Sequence, residues 1–314
     1  MKRYTAIMRL LMTSVLLSAV ACEYDFELRN MPQDPLLCVE CLPGLSDTTF
    51  VRVRVAVPVG NAAADVPPVS GTSVCLSVNG EDVPVMVYAS GENAVTFYSL
   101  PELSCGDVLE MKASLDGLEP VSSCTVIPGA VPEYEVEMNK RNGDIVIVVS
   151  IKDDQTSEDY YAVGFARKTR FIDSRGDREE IAYGRLELTD RETYPDLDNS
   201  GVMQLDSFRS FYVLNDRGCN DSGIKTVSVT GYYSKDLWVE DDDGIWGHGV
   251  QYQVTCSRLS PESYNYLRSR YEVKQDGLAY HGLAPGNFAY TNIAGGLGVF
   301  GGAATSSSGW LDNI

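Results

Sequence analysis

The chain has 314 residues, with 44 Asp and Glu against 25 Lys and Arg and a formal net charge of −19. So anionic a surface weighs against nucleic-acid backbones and anionic lipid headgroups as partners. It suits solubility and tolerates cationic ligands or metal ions, without identifying either.

Taken in chain order, residues 1–21 come first as an export signal. Lys2, Arg3 and Arg9 precede an uncharged run from Leu10 to Ala21 that closes on small residues. That is the pattern of a secretory signal, and the run is too short to span a bilayer. Ala19, Val20, Ala21 and Cys22 resemble a lipobox, in which Cys22 takes the lipid, although Ala19 stands where Leu is commoner. The alternative is an ordinary cleaved signal with Cys22 as a bystander. Lipidated, Cys22 would hold the protein to a membrane without spanning it, and more than one acyl chain makes a durable anchor. Residues 22–35 then form a tether. Losing the three signal cations leaves 22 cations against 44 carboxylates, a net −22. No later stretch is long and apolar enough for a transmembrane helix.

Residues 36–129 read as a small immunoglobulin- or transthyretin-like sandwich of roughly seven strands. The segment 49–57 alternates, with Val51, Val53, Val55 and Val57 on one face and Phe50, Arg52 and Arg54 on the other. Asn79 and Gly80 separate two apolar runs, a strong hairpin signal because a type I′ turn needs positive φ. Prolines and a glycine at 127–134 mark the boundary to a larger antiparallel β domain over 130–314. There, 144–151 has the continuous apolar character of a buried strand. The segments 159–168, 181–189, 224–233 and 250–259 extend the pattern, with loops at 190–200 and 234–249. One segment departs from it: Ser260 caps, Pro261 starts and Glu262 charges a helix over 261–272, with Tyr264, Leu267 and Tyr271 on one face. The fold class is therefore all-β with one short helix.

Seven cysteines remain after Cys22, and in an exported chain an odd count leaves at least one thiol free or paired between chains. Cys219 and Cys256 are the only two in the C-terminal half and form the first candidate disulfide. Cys38 and Cys41 make a C-x-x-C, but in a strand positions three apart face opposite ways. They read as buried strand cysteines or bridge partners rather than a redox motif, which belongs at a helix start. The pairing among Cys38, Cys41, Cys75, Cys105 and Cys124 stays open.

Motifs that carry chemistry are few. Gly296, Gly298 and Gly301 match G-x-G-x-x-G, yet no βαβ unit follows, so they read as backbone that turns tightly or packs closely. Asp196 to Gly201 resembles the opening of a calcium loop, but its twelfth position is Ser207 and not a glutamate. Glu240, Asp241, Asp242 and Asp243 read as a solvated loop tip. There are two histidines, His248 and His281, and no H-E-x-x-H or G-x-S-x-G motif. No catalytic residue, metal or cofactor is therefore expected. The candidate ligand surface is aromatic: Trp238, Trp246 and His248 in the loop 237–249, beside the acidic run, with 280–290 as a second such loop.

The stretch from Tyr290 through Asn292, Ile293, Gly295, Gly296, Leu297, Gly298 and Phe300 to Gly301 is the most distinctive in the chain. It resembles the closing signature of a family of Bacteroidetes lipoproteins, domain of unknown function 4249. The lipobox, the early strand at 36–40, the junction at 125–128, Asp159 to Tyr161 and Ser260 to Tyr266 agree in order along the chain. This sequence departs from that pattern at Cys38 and Cys41, where Val and Gly are expected, and an extra local bridge would fit there. Glu23, Asp25 and Glu27, just after the lipidated cysteine, resemble the signal Bacteroidetes use to display lipoproteins at the cell surface. The resemblance implies an outer-membrane lipoprotein with an immunoglobulin-like N-terminal part, associated with TonB-dependent transporters. It implies no reaction and no catalytic residue. The leading expectation is a lipid-anchored, non-catalytic binding or accessory protein of the outer membrane, with the cell surface favoured over the periplasmic face. The alternatives are a structural or adhesive surface protein, and an enzyme acting on glycans or peptides.

Overall fold

A computed structural model describes residues 34–46, 49–57, 68–90, 94–141, 144–153, 157–173, 176–183, 187–188, 202–205, 209–216, 223–232, 246–275 and 290–312. The all-β expectation holds, with a single α-helix among these residues.

The first half folds as eight strands: β1 (Leu36–Cys41), β2 (Thr49–Ala56), β3 (Ser73–Val78), β4 (Glu81–Asp82), β5 (Val85–Ser90), β6 (Ala94–Tyr98), β7 (Val108–Ser114) and β8 (Val121–Val126). Alternation decides their faces. In β2, Val51 and Val53 are fully buried while Arg52 and Arg54 point the other way. They meet Leu76, Leu109 and Met111 from the facing sheet, each such side chain contributing roughly 1.5–3 kcal/mol by leaving water. The turn at Asn79 and Gly80 has φ of 51° and 87°, as its sequence requires. The hairpin it starts is short, however. Only Val78 with Glu81 and Ser77 with Asp82 pair. Pro84 then interrupts the chain, and β5 joins β6 in the opposite sheet instead of lying beside β3.

The second half contributes β9 (Tyr134–Arg141), β10 (Asp144–Lys152), β11 (Tyr160–Asp173), β12 (Gly176–Tyr183), β13 (Glu187–Leu188), β14 (Val202–Leu205), β15 (Arg209–Asn215), β16 (Ile224–Tyr232) and β17 (Trp246–Leu259). The helix α1 (Pro261–Gln275) follows, and then β18 (Leu297–Phe300), β19 (Ala303–Ser307) and β20 (Leu311–Asp312). One sheet runs β13-β16-β10-β9 and the other β14-β15-β11-β17-β19, with β12 on β11 and β20 on β17. Between them lie Ile145, Ile147 and Val149 of β10, Val163 and Phe165 of β11, and Val254 and Cys256 of β17. β10 is not buried on both faces, as its continuous apolar run suggested. Val146 and Val148 are only half-buried, so the strand alternates after all.

β17 begins at Trp246, four residues before the expected start at 250, so Trp246 and His248 lie in a strand and not in a loop. β19 and β20 also fall where the sequence shows only a serine-rich tail.

β18 does not stay with the second unit. It pairs in parallel with β1, Cys38 opposite Leu297 and Cys41 opposite Phe300, and completes the sheet β18-β1-β2-β6-β5. Asn292 pins it by donating to the Phe300 carbonyl at 2.7 Å and accepting from the Phe300 N–H at 3.0 Å. Helix α1 lies between the two sandwiches. The Ser260 hydroxyl accepts from the Ser263 N–H at 3.3 Å, and Glu262 sits in the first turn, as the cap expectation required. Its buried Tyr264 and Leu267 join one cluster with Ala162 and Val213 of the second unit and Val299 of the first sheet. Tyr264 stacks on Tyr160 with centroids 4.2 Å apart.

Candidate binding cleft

Strand polarity brings several chain segments to one end of the first sandwich. Thr49 opens β2 opposite Tyr98, the last residue of β6. The linker after β8 leaves from the same end, and β19 crosses close by. Between them is a cleft of about 930 Å³. Its lining includes apolar Leu100, Leu103, Ile127 and Val131 and all five residues of β19, from Ala303 to Ser307. Glu102 is the one charged side chain among the described lining residues. Tyr98 closes the base by donating to the Val74 carbonyl at 3.1 Å, and burial pushes its phenol well above the usual range.

Two polar clusters lie outside the cleft lining. On the outer face of the first sheet, Glu40 is only 4% exposed. Arg52, Arg54 and Arg270 approach it at 3.5, 2.8 and 2.6 Å, with Tyr266 as a further donor. Beside it the Cys38 thiol is pushed up by burial and then by Glu40, against the pull of Arg54. At the linker, Arg258 forms a two-oxygen ion pair with buried Asp159. Gly129 makes room for it, since a Cβ there would lie 2.7 Å from the guanidinium. Tyr161 donates to Asp153 at 2.5 Å. Burial raises the Asp216 carboxyl, and the nearby charges of Asp153, Asp159 and Glu158 add to the effect against a hydrogen bond from the Asp159 N–H. These arrangements hold structure together. Among the described residues no group of three or more His, Cys, Asp or Glu is placed to hold a metal ion.

The glycine signature is a packing device. A Cβ on Gly298, whose φ is 106°, would land on the Val39 carbonyl, and one on Gly296 would lie 2.5 Å from that of Leu37. Gly301 is pressed in the same way against Ser263 of the helix. The close-packing expectation for these glycines is therefore met, and its object is β1 for Gly296 and Gly298 and helix α1 for Gly301.

Of the residues singled out by sequence, Trp246 and His248 sit opposite Ile172 and Arg170 at the start of β17. The cleft borders the other end of that strand, where β19 pairs with residues 255–259, so the two are not brought together. Trp238, Cys219, Cys22, the calcium-like segment 196–201 and the acidic run 240–243 lie outside the described residues. Cys38, Cys41, Cys75, Cys105, Cys124 and Cys256 are all free thiols, and Cys38 and Cys41 face opposite sides of β1. Sequence reasoning missed the cleft. The run Ser306 to Ser308, small hydroxyl residues without periodicity, is its one trace in the sequence.

The architecture defines the class: a protein of two β-sandwiches clasped by one helix, with the last strand of the first sandwich supplied by a distant segment. The chain belongs to the family described as domain of unknown function (DUF4249), whose profile matches residues 22–308. No curated protein matches it. Among solved structures it is similar to the Yersinia pseudotuberculosis adhesin InvE, at 15% identity, TM-score 0.20 and 71% coverage of this chain. The match spans about half, 55%, of the adhesin. It is also similar to a structure of manganese lipoxygenase of Gaeumannomyces graminis with part of the zonadhesin of Komagataella pastoris, at 12% identity and TM-score 0.18. That match covers 71% of this chain and 89% of the other. At these TM-scores neither likeness carries an argument. No helix among the described residues is long and apolar enough to cross a membrane.

Proposed function

We propose that the chain is a lipid-anchored, non-catalytic binding or accessory protein of the outer membrane, facing the cell surface and working beside a TonB-dependent transporter. The observation that supports this reading is the polarity of the first sheet. Leu36 pairs with Ala56 at one end of it, whereas Cys41 and Thr49 lie at the other, where the second sandwich attaches. A tether running from Cys22 to residue 33, up to about 40 Å when extended, would enter at the end remote from the junction. The cleft and the second sandwich would then stand away from the membrane, presented to a partner.

Crosslinking of the tagged protein in intact outer membranes, followed by pull-down, should recover a TonB-dependent transporter. Repeated recovery of the protein alone under mild extraction would sink the partnership. Cys22→Ser should move the protein from the membrane to the soluble fraction. Retention at the membrane would sink the anchor.

A further inference from the structure

β19 presents an unpaired edge to the cleft. The Ala303 N–H donates to the Pro43 carbonyl, away from β17, while the Ser308 N–H donates to the Val254 carbonyl, toward it, both at 2.8 Å. Backbone groups alternate along an antiparallel strand. The N–H and C=O of Thr305 and Ser307 therefore point away from β17, and they have no hydrogen-bond partner among the described residues. That five consecutive residues line the cleft fits a strand seen edge-on, since a strand seen by its face shows every second residue.

Such edges are ordinarily blunted by charge, proline or a bulge. β9, at the edge of its own sheet, sets exposed Glu135 and Glu137 outward. From Ala303 to Ser307 there is no charge and no proline. The loop at Pro43 and Gly44 covers the first residue of the edge and reaches the third, where Gly44 accepts from the Thr305 hydroxyl at 2.6 Å while the Thr305 backbone groups stay unbonded. Among the described residues the remaining edge is open for a short strand, and the cleft it lines has apolar side chains and Glu102 as its sole charge.

We infer that the cleft is a strand-addition site. An extended segment of a protein partner, apolar on alternate residues and carrying lysine or arginine between them, pairs edge-on with Thr305 and Ser307. Glu102, in a chain of net charge −19, selects the cation. This deepens the binding reading above and rests on it, but it does not require the lipid.

The test uses the full mature chain and two blocked heptapeptides, one alternating valine with lysine and the other valine with glutamate. Fluorescence anisotropy should show the lysine peptide binding at least about tenfold more tightly. Ser307→Pro removes an outward N–H without touching the ladder to β17, and should weaken binding by about tenfold or more, the equivalent of one to two hydrogen bonds. Ser307→Ala keeps the backbone donor and should bind as the parent does. The proposal is overturned if neither peptide binds at millimolar concentration, if the glutamate peptide binds as well, or if Ser307→Pro binds as the parent with an unchanged melting temperature. It is also overturned if sedimentation shows the parent self-associating through this edge and Ser307→Pro monomeric, since the occupant is then a second copy. Should Ser307→Pro still recover the transporter from membranes, the site fails while the accessory reading stands.

Discussion

The phenol of Tyr266 donates a 2.8 Å hydrogen bond to Glu40, tying helix α1 to the first strand across 226 residues of chain. Arg270, one turn further along the helix, reaches the same oxygen. A buried carboxylate with several donors joins the first sandwich to the helix that also packs on the second. Glu40→Ala leaves three guanidinium groups without their shared partner. The loss in urea denaturation should be about 3 kcal/mol, the low end for a broken buried pair, because Arg54 and Arg270 are 43% and 40% exposed and partly screened. Tyr266→Phe keeps the ring and should cost about 1 kcal/mol. A Glu40→Ala variant within about 0.5 kcal/mol of the parent would show that the cluster is ornamental.

Gly298→Ala places a methyl against the Val39 backbone at a positive φ and should cost more than about 3 kcal/mol or prevent folding. Gly309→Ala, where a Cβ meets nothing within 4 Å, should stay within about 0.5 kcal/mol. Thermal melts of both decide the point. Equal melting temperatures would mean that β18 does not need its close approach to β1.

Asp216 supplies a pH test. Its carboxyl is raised by burial first and by neighbouring carboxylates after, so at neutral pH the folded state bears a charge it disfavours. Stability linked to this group is present below the unfolded value of 3.8 and is lost as pH rises through the folded value. Asp216→Asn removes that loss while keeping an oxygen to accept from the Asp159 N–H. Its melting temperature should exceed the parent's at pH 7, with the gain shrinking toward pH 3.8. A gain that grows on acidification contradicts the argument.

The thiols should separate by reactivity. Burial pushes Cys256 up to about 12 and Cys41 beyond the usual range. Cys75 is exposed, yet burial and its hydrogen bond to Asp82 raise it as well. Iodoacetamide at pH 8, read by mass spectrometry, should modify exposed Cys105 and Cys124 first and Cys75 more slowly. Cys41 and Cys256 should react only in denaturant. Asp82→Asn should speed Cys75. Rapid native labelling of Cys256 would place it somewhere other than the core.

What the sequence revealed was local chemistry. The Asn79 and Gly80 turn, the Ser260 cap and the alternation of β2 depend on neighbouring residues, and each is where its residues require. The sheet change after Asp82 was hidden because turn residues fix a reversal but not how far the second arm stays paired. The glycine run signalled close approach without naming what approaches, since β1 lies at the other end of the chain. Glu40 was legible as the polar face of a strand. That helix α1 would cover it, with Tyr266 and Arg270 as donors, depends on tertiary packing. The cleft was invisible because small hydroxyl residues at a strand edge carry no periodic signal.

The parallel pairing of β1 with β18 also governs the order in which the protein can be made. Cys38 is synthesised long before its neighbour Leu297, tens of seconds at ordinary elongation rates. Until then the first sandwich lacks a strand, and the hydrophobic slot for Phe300 stays empty. A fragment covering 36–129 alone would expose that edge and tend to aggregate. Nascent chain must therefore be kept from collapsing until the partner of β1 arrives, and residues 290–302 are the part whose arrival lets the first sandwich close.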